Sequence, residues 1–343
     1  MRVLLLLSAL MLGLAACSPA PQTPVLPPTP TLPAPVDFAA QGLTGRIIYA
    51  GSNLGVWELN PATGAQRPLF QPADPANAWV TSATVSPDGR IIVMAYAPPP
   101  AAGQIQFGFT DLYELVDGAA PRPLLQRVDP HESFFTPTWS PDGRQLYYAH
   151  AQPLADGTAG VTYNIERRAY PDGAPERVSA NAFWPRLSPD GSRLVYVSIE
   201  PETFANGLMI ASAEGSAPKQ LIAPGLFAAI DAPLISPDGT QIIFSAAGTP
   251  LSKSPSAPWG RLFDAQAAEA HNLASDWWQI PVEGGQPQPL TQLGLVSLFG
   301  DFSPDGQVFA FLSLTGLYLM QPDGTQVSVL SAGGTYGTLE WVP

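Results

Sequence analysis

The chain has 343 residues, of which 45% are hydrophobic and only 13% are charged, and its formal net charge is −13. An acidic protein repels the phosphate backbone, so the composition excludes nucleic acid as a partner. Forty prolines and 31 glycines are typical of disordered segments. Here they recur between apolar runs, which favours the turns of an all-β protein.

The first 16 residues have the features of a secretory signal peptide, with Arg2 followed by an apolar run over residues 3–14. That run is too short to span a bilayer comfortably. The sequence Leu14-Ala15-Ala16-Cys17 resembles the lipobox of bacterial lipoproteins, in which the cysteine sulfur receives a diacylglycerol. We therefore predict cleavage after residue 16 and lipidation of Cys17, an incidental buried thiol being the alternative. The lipid would anchor an extracytoplasmic protein to the cell membrane or the outer membrane.

Residues 17–44 are predicted to form a lipidated linker. Its residues 18–35 include eight prolines and no charge, a composition typical of an extended spacer. At about 3.1 Å per residue, such a spacer spans on the order of 50 Å.

The rest of the chain is a repeat. Five copies of Ser-Pro-Asp-Gly begin at Ser86, Ser140, Ser188, Ser236 and Ser303. In each copy, proline presets φ, aspartate bonds its own backbone and glycine accepts a positive φ, so the tetrapeptide predicts a tight turn. Around the second copy, apolar runs at residues 135–139, 145–150, 161–169 and 175–178 predict the four antiparallel strands of one propeller blade.

The repeat predicts six blades rather than five. A second strand aligns in six places, but the chain begins with a second strand near residue 45 and ends with a first strand at Trp341. We therefore predict an all-β, six-bladed propeller of four-stranded antiparallel blades over residues 45–343. Residues 337–342 would close the ring as the innermost strand of the blade formed by residues 46–50, 56–59 and 66–70, which removes an open sheet edge.

These residues resemble the TolB-like, WD-like propeller repeat family. The blade pattern of tryptophan, Ser-Pro-Asp-Gly and an aliphatic and aromatic strand matches, and residues 317–324 are similar to the family's third strand and its turn. The resemblance covers residues 45–343. It implies a binding or gating surface without naming a ligand, since family members include translocation accessory proteins and the propeller domains of serine peptidases.

The channel strands carry the candidate chemistry, because charges there interrupt an apolar register: Arg186, Asp231, Asp301 and Glu340. Asp301 and Glu340 occupy equivalent positions in neighbouring blades. Two acids near a channel suit glycoside hydrolysis or cation binding. Alternatively they hydrogen-bond blade edges or pair with Arg186. The repeated aspartates of the turns are explained by the turns themselves.

The fifth full blade contains the longest insertion, residues 249–274. Our candidates for a binding face are the tryptophans and the histidine in or beside this insertion: Trp259, His271, Trp277 and Trp278. The tryptophans suit carbohydrate stacking or partner binding. Alternatively, they pin the insertion onto the blade.

These features predict a lipid-anchored, extracytoplasmic propeller that acts as a protein- or ligand-binding or scaffolding module of the bacterial envelope. Its expected partners are the membrane, through Cys17, and an envelope protein or carbohydrate. The alternative is an envelope enzyme, a carbohydrate or peptide hydrolase or lyase that uses the channel acids. No motif points to a metal or an organic cofactor, so none is expected.

Overall fold

A computed structural model describes residues 42–343 except 53, 102, 104–107, 117–118, 155–159 and 249–272. The predicted signal peptide, Cys17 and most of the linker therefore lie outside the described residues. Within the described residues, every regular element is a β-strand, and no helix has the length and apolar composition needed to cross a membrane.

The described strands form six antiparallel sheets, one for each predicted blade. Blade 1 contains β1 (Arg46–Gly51), β2 (Gly55–Leu59) and β3 (Gln66–Phe70). Blade 2 contains β4 (Trp79–Val85), β5 (Ile91–Ala97), β6 (Asp111–Val116) and β7 (Arg122–Leu125). Blade 3 contains β8 (Ser133–Trp139), β9 (Gln145–Pro153), β10 (Val161–Ala169) and β11 (Glu176–Ala180).

Blades 4 to 6 repeat this order. Blade 4 contains β12 (Ala182–Leu187), β13 (Arg193–Ile199), β14 (Asn206–Ser212) and β15 (Lys219–Ile222). Blade 5 contains β16 (Ala229–Ile235), β17 (Gln241–Ala247), β18 (Ala274–Pro281), β19 (Gln288–Pro289) and β20 (Leu295–Val296). Blade 6 contains β21 (Phe299–Phe302), β22 (Phe309–Ser313), β23 (Gly316–Met320) and β24 (Ser328–Ala332).

The last strand, β25 (Leu339–Val342), closes the ring. It pairs with β1 in the sheet order β25-β1-β2-β3, with Ile47 opposite Trp341. The indole nitrogen of Trp341 also donates a hydrogen bond of 2.8 Å to the carbonyl of Thr44. The predicted closure of the propeller by the C-terminal strand is thus confirmed.

The core lies between blades. The described buried apolar residues form six clusters, and each cluster joins neighbouring blades. The second strand of a blade therefore buries both of its faces, as β5 does along Ile91–Ala97. The outermost strands, such as β3, are exposed and more polar.

The Ser-Pro-Asp-Gly turns have the geometry that their residues predict. In all five copies the serine hydroxyl donates to the aspartate carboxylate, at 2.5 to 2.6 Å. The five turn glycines have φ between 70° and 73°, which is accessible to glycine at little cost. The repeated aspartates therefore act inside the turns.

Strand direction gives the propeller two distinct faces. The turn face carries the Ser-Pro-Asp-Gly turns and the turns that join third to fourth strands. The hairpin face carries the loops that join second to third strands and the loops that lead from one blade to the next. Strand β1 (Arg46–Gly51) is the second strand of blade 1, counted from the channel, and it starts at the turn face. The chain therefore enters the propeller at the turn face.

Candidate functional site

The channel is lined by the innermost strands β4, β8, β12, β16, β21 and β25, and Arg186 of β12 reaches across it. Its guanidinium donates to Asp301 of blade 6 at 3.0 Å and to Glu340 of blade 1 at 2.9 Å. The structure thus brings three of the four sequence candidates together. Pairing with Arg186 was one of the two alternatives for these acids, and it is the arrangement observed.

Both carboxylates are also held by neighbouring donors. Asp301 accepts from the backbone amides of Phe302 at 3.0 Å and Trp341 at 3.1 Å. Glu340 accepts from the Thr84 hydroxyl and from the Val85 amide, each at 2.8 Å. This arrangement, which we call the channel clamp (Arg186, Asp301 and Glu340), therefore ties blades 1, 2, 4 and 6 to one another.

Burial dominates the electrostatics of the clamp. The side chains of Arg186, Asp301 and Glu340 keep only 26%, 19% and 10% of their surface exposed. Burial raises the pKa of both Asp301 and Glu340, and the positive charge of Arg186 opposes that rise. Burial works against the charged form of Arg186, but the two carboxylates hold its pKa above the usual value. A guanidinium between two acids suits a structural ion cluster.

Asp231, the fourth candidate, lies in a separate layer closer to the hairpin face. It accepts a hydrogen bond of 3.1 Å from the indole nitrogen of Trp184. The Trp184 ring lies 5.2 Å from Phe299, which lies 5.5 Å from Tyr336. These rings come from blades 4, 6 and 1, so an aromatic layer spans the channel above the clamp. Burial, and then the charge of Asp231, raise the pKa of Tyr336.

A bulge at an X-Pro step directs this layer inward. In blades 3, 4 and 5 the residue before the channel proline has a positive φ, and the pairing with the second strand shifts there. These residues are Thr136, Trp184 and Ala232, with φ of 46°, 54° and 47°. A bulge re-aims side chains, so the Trp184-Pro185 step explains how both Trp184 and Arg186 serve the channel.

The cavity in the channel is small. It measures about 40 Å³ and is lined by residues of all six blades, among them Thr136, Arg186 and Gly300. The Thr136 hydroxyl is buried there without a partner among the described residues. A water molecule needs roughly 10 to 15 Å³ by this kind of measure, whereas drug-sized ligands occupy pockets of about 300 to 1,000 Å³. The cavity thus has the size for a few waters, not for a sugar or a peptide.

The tryptophans of the predicted binding face have a different role from the one expected. Trp277 and Trp278 lie in β18, with 0% and 8% of their surface exposed. Trp277 packs 4.9 Å from Phe309 of blade 6, and Trp278 packs 4.9 Å from Phe227 at the entry to blade 5. Both rings belong to the core between blades, which corrects their assignment as binding-face aromatics. Trp259, His271 and Cys17 lie outside the described residues.

Asp276, which the sequence did not single out, organises the hairpin face of blade 5. Its carboxylate accepts hydrogen bonds from the Thr291 hydroxyl and from the amides of Leu293 and Gly294. Burial raises its pKa, and these hydrogen bonds oppose the rise. The feature of the sequence that could have identified Asp276 is an acidic residue directly before two tryptophans in the third strand of a blade. Asp276 holds the loop that follows the two-residue strand Gln288–Pro289.

No protein-family model matches this sequence, and no curated protein matches it either. Several solved structures share the fold. TolB from Acinetobacter baumannii is 16% identical with a TM-score of 0.57, the match covering 88% of this chain and 69% of that one. A putative TolB from Agrobacterium tumefaciens is 18% identical with a TM-score of 0.56, over 88% and 99%.

A chain of a nidogen/laminin complex is 9% identical with a TM-score of 0.59, over 86% of this chain and 98% of that one. Identities this low show the fold alone. The chain therefore has the six-bladed fold of the TolB-like propellers.

Proposed function

We propose that this chain is a lipid-anchored, extracytoplasmic propeller that acts as a protein-binding module of the bacterial envelope. The observation that carries the proposal is the clamp that Arg186 makes with Asp301 and Glu340 across the channel. Propellers present either a channel or a face to their ligands. Here side chains close the channel, so a ligand would bind one of the two faces.

The same geometry weighs against the hydrolase or lyase alternative. A glycosidase needs two carboxyl groups that flank the scissile bond, one of them free to move a proton. Here Arg186 occupies the space between Asp301 and Glu340, and the cavity measures only about 40 Å³. The acids are better suited to hold the ring together than to act on a substrate.

The hairpin face is the favoured binding surface because the longest connecting segments join strands there. The segments between β5 and β6 and between β17 and β18 are residues 98–110 and 248–273, of which 102, 104–107 and 249–272 lie outside the described residues, and the described loop into blade 6 spans residues 290–298 apart from a short strand. Insertions collect where function resides, since the scaffold tolerates them. The fold shared with the two TolB structures supports a binding module of the envelope.

The anchor and the location rest on the sequence around Cys17. An apolar run followed by Leu14-Ala15-Ala16-Cys17 supports export, cleavage and lipidation. Intact mass measurement of the purified protein tests this part. We expect the loss of residues 1–16 and the added mass of acyl groups, and neither change in a Cys17→Ala variant.

The binding role is tested by affinity capture of the tagged chain from its own membranes, followed by quantitative mass spectrometry. The matched control carries residues 1–44 fused to an unrelated folded domain, so it has the same signal, anchor and linker. We expect proteins that are enriched by the full chain and not by the control. Equal recovery from both would refute a binding role for the propeller.

A further inference from the structure

The two faces of the propeller differ in their exposed apolar side chains. Among the described residues, seven large apolar side chains are exposed. Six of them lie on the hairpin face: Leu54, Val128, Leu154, Phe204, Leu273 and Leu314. Of the described residues of the turn face, only Val116, at the end of β6, is exposed to a similar degree.

The six residues are spread around the ring. Five of them lie in the hairpin loops of blades 1, 3, 4, 5 and 6, and Val128, which is 95% exposed, lies in the loop from blade 2 to blade 3. Single exposed apolar residues are ordinary. An exposed apolar side chain in the equivalent loop of five blades is unusual. The tight turns of the other face contain Pro, Asp and Gly instead.

Among the described residues, the charges in the loops of the hairpin face are mostly negative. The described loops there carry five acids: Asp74, Asp129, Glu132, Glu200 and Glu202. Arg127 is the one arginine in those described loops, and it already donates to the carbonyl of Phe109 and lies 4.0 Å from Asp111. His131 bonds Asp129 at 3.1 Å.

The basic side chains lie toward the opposite face. Apart from Arg127 and the channel residue Arg186, the described arginines and lysine lie at or near the turn-face ends of their strands: Arg46, Arg67, Arg90, Arg122, Arg144, Arg167, Arg168, Arg177, Arg193 and Lys219. Several of them pair with acids, as Arg193 does with Glu283 at 3.1 Å.

We infer that the hairpin face docks a protein segment that combines apolar side chains with lysine or arginine. The inference rests on the proposed binding function and names the chemistry of the partner. Burial of the apolar loop residues would supply affinity, and the acidic loops would favour a cationic partner and speed its encounter.

A second copy of the chain and a lipid membrane complement the acidic loops of the hairpin face less well than a cationic protein segment does. A second copy facing this one would set two acidic surfaces against each other. An anionic lipid surface meets the same repulsion.

The test uses the full chain and three synthetic peptides as probes. One alternates leucine with lysine, one replaces each lysine by glutamate, and one replaces each leucine by serine. Binding is measured by fluorescence anisotropy at about 50 mM and about 300 mM NaCl. We expect binding of the leucine–lysine peptide alone, weakened at the higher salt. Failure of that peptide to bind overturns the inference.

Two sets of variants assign the binding to the face. The first combines Leu54→Ser, Phe204→Asn and Leu314→Ser, with Val116→Ser as its control. The second combines Glu200→Gln with Glu202→Gln, with Glu214→Gln and Glu283→Gln of the turn face as its control. We expect a loss of about tenfold or more for the apolar set and a smaller loss, confined to low salt, for the acidic set. Losses of the same size in the controls overturn the inference.

The acidic set keeps the test informative if the apolar set fails to fold. Self-association that the apolar set removes would identify a second copy as the occupant instead. Binding to zwitterionic vesicles that the apolar set removes would identify a membrane. Affinity capture from membranes with these variants distinguishes the proposed docking surface from the proposed binding function. Enriched proteins that persist with both sets would refute this surface and leave the binding function standing.

Discussion

Arg186 and Glu340 lie 154 positions apart in the sequence, yet their side chains meet at 2.9 Å across the channel. Glu340 belongs to the strand that closes the ring, so this ion pair exists only when β25 has joined β1. With Asp301 bound to the same guanidinium at 3.0 Å, the channel clamp couples ring closure to the packing of blades 4 and 6.

Removal of the cation should destabilise the protein strongly. Arg186→Met would leave two largely buried carboxylates without their counter-ion, which typically costs about 3 kcal/mol or more of the free energy of unfolding. Urea unfolding monitored by tryptophan fluorescence measures the loss. Arg193→Met is the matched control, because its pair with Glu283 is exposed, and surface pairs contribute roughly 0 to 1 kcal/mol. Equal losses in the two variants would contradict the role of the clamp.

The clamp also predicts a pH dependence. Burial raises the pKa of Asp301 and Glu340 above their ordinary values of 3.8 and 4.5. Their contribution to stability is therefore full below those values and is lost as the pH rises through the raised pKa values. In Arg186→Met the loss on raising the pH should be larger, because no cation opposes the rise. Urea unfolding at about pH 4 and about pH 8 tests this, and a difference from the native chain that shrinks toward high pH would contradict it.

The turn aspartates predict the opposite behaviour in acid. The Ser188 hydroxyl, followed by the Ser192 amide and hydroxyl, lowers the pKa of Asp190 to about 2. Because its pKa is lowered, Asp190 stabilises the fold at pH values above its ordinary pKa of 3.8. This stabilisation is lost as the pH falls toward about 2. Asp190→Asn should therefore flatten part of the acid side of the stability profile. Ser188→Ala should do the same, and an unchanged acid slope in both variants would contradict the assignment.

Ring closure can be tested by truncation. A chain that ends at Thr338 lacks β25 and leaves the inner edge of β1 unpaired, so it should lose stability and self-associate. Deletion of Pro343 alone is the control, since this exposed residue follows the strand. Thermal unfolding and size-exclusion chromatography separate the outcomes. A truncated chain as stable and as monomeric as the control would argue against closure by β25.

Trp277 should behave as a core residue. The side chain is fully buried against Phe309 and Phe311, so Trp277→Ala should lower the free energy of unfolding by about 3 to 5 kcal/mol. Trp57→Ala, at a half-buried ring of β2, should cost less. A Trp277→Ala protein of native stability that had lost only partner capture would restore the ring to the binding face.

Much of the fold follows from the sequence, because turn chemistry and apolar runs are local. The strand Val161–Ala169 has the predicted bounds, and the pairing of β25 with β1 follows from counting first and second strands. The short strand Leu295–Val296 was missed. It pairs with β18 through a loop that Asp276 holds, which is a long-range interaction with no sequence period.

The candidate site was only partly predictable. The spacing before each turn serine placed Asp301 and Glu340 at equivalent positions of neighbouring blades, and pairing with Arg186 was one of the alternatives for them. Trp184 was missed because a register shift at the following proline turns its ring into the channel. Trp277 and Trp278 were misassigned because a strand that is buried on both faces has no polar alternation to mark which residues face solvent.

We propose that a protein partner binds the hairpin face, and not the channel or the turn face. Site-specific photo-crosslinking in living cells tests this placement, with a photoreactive residue at Phe204 and, as the matched control, at Val116. These side chains are 53% and 40% exposed on opposite faces. We expect a defined protein adduct from position 204 and none from position 116. Adducts from position 116 alone, or from neither position, would rule out binding at the hairpin face.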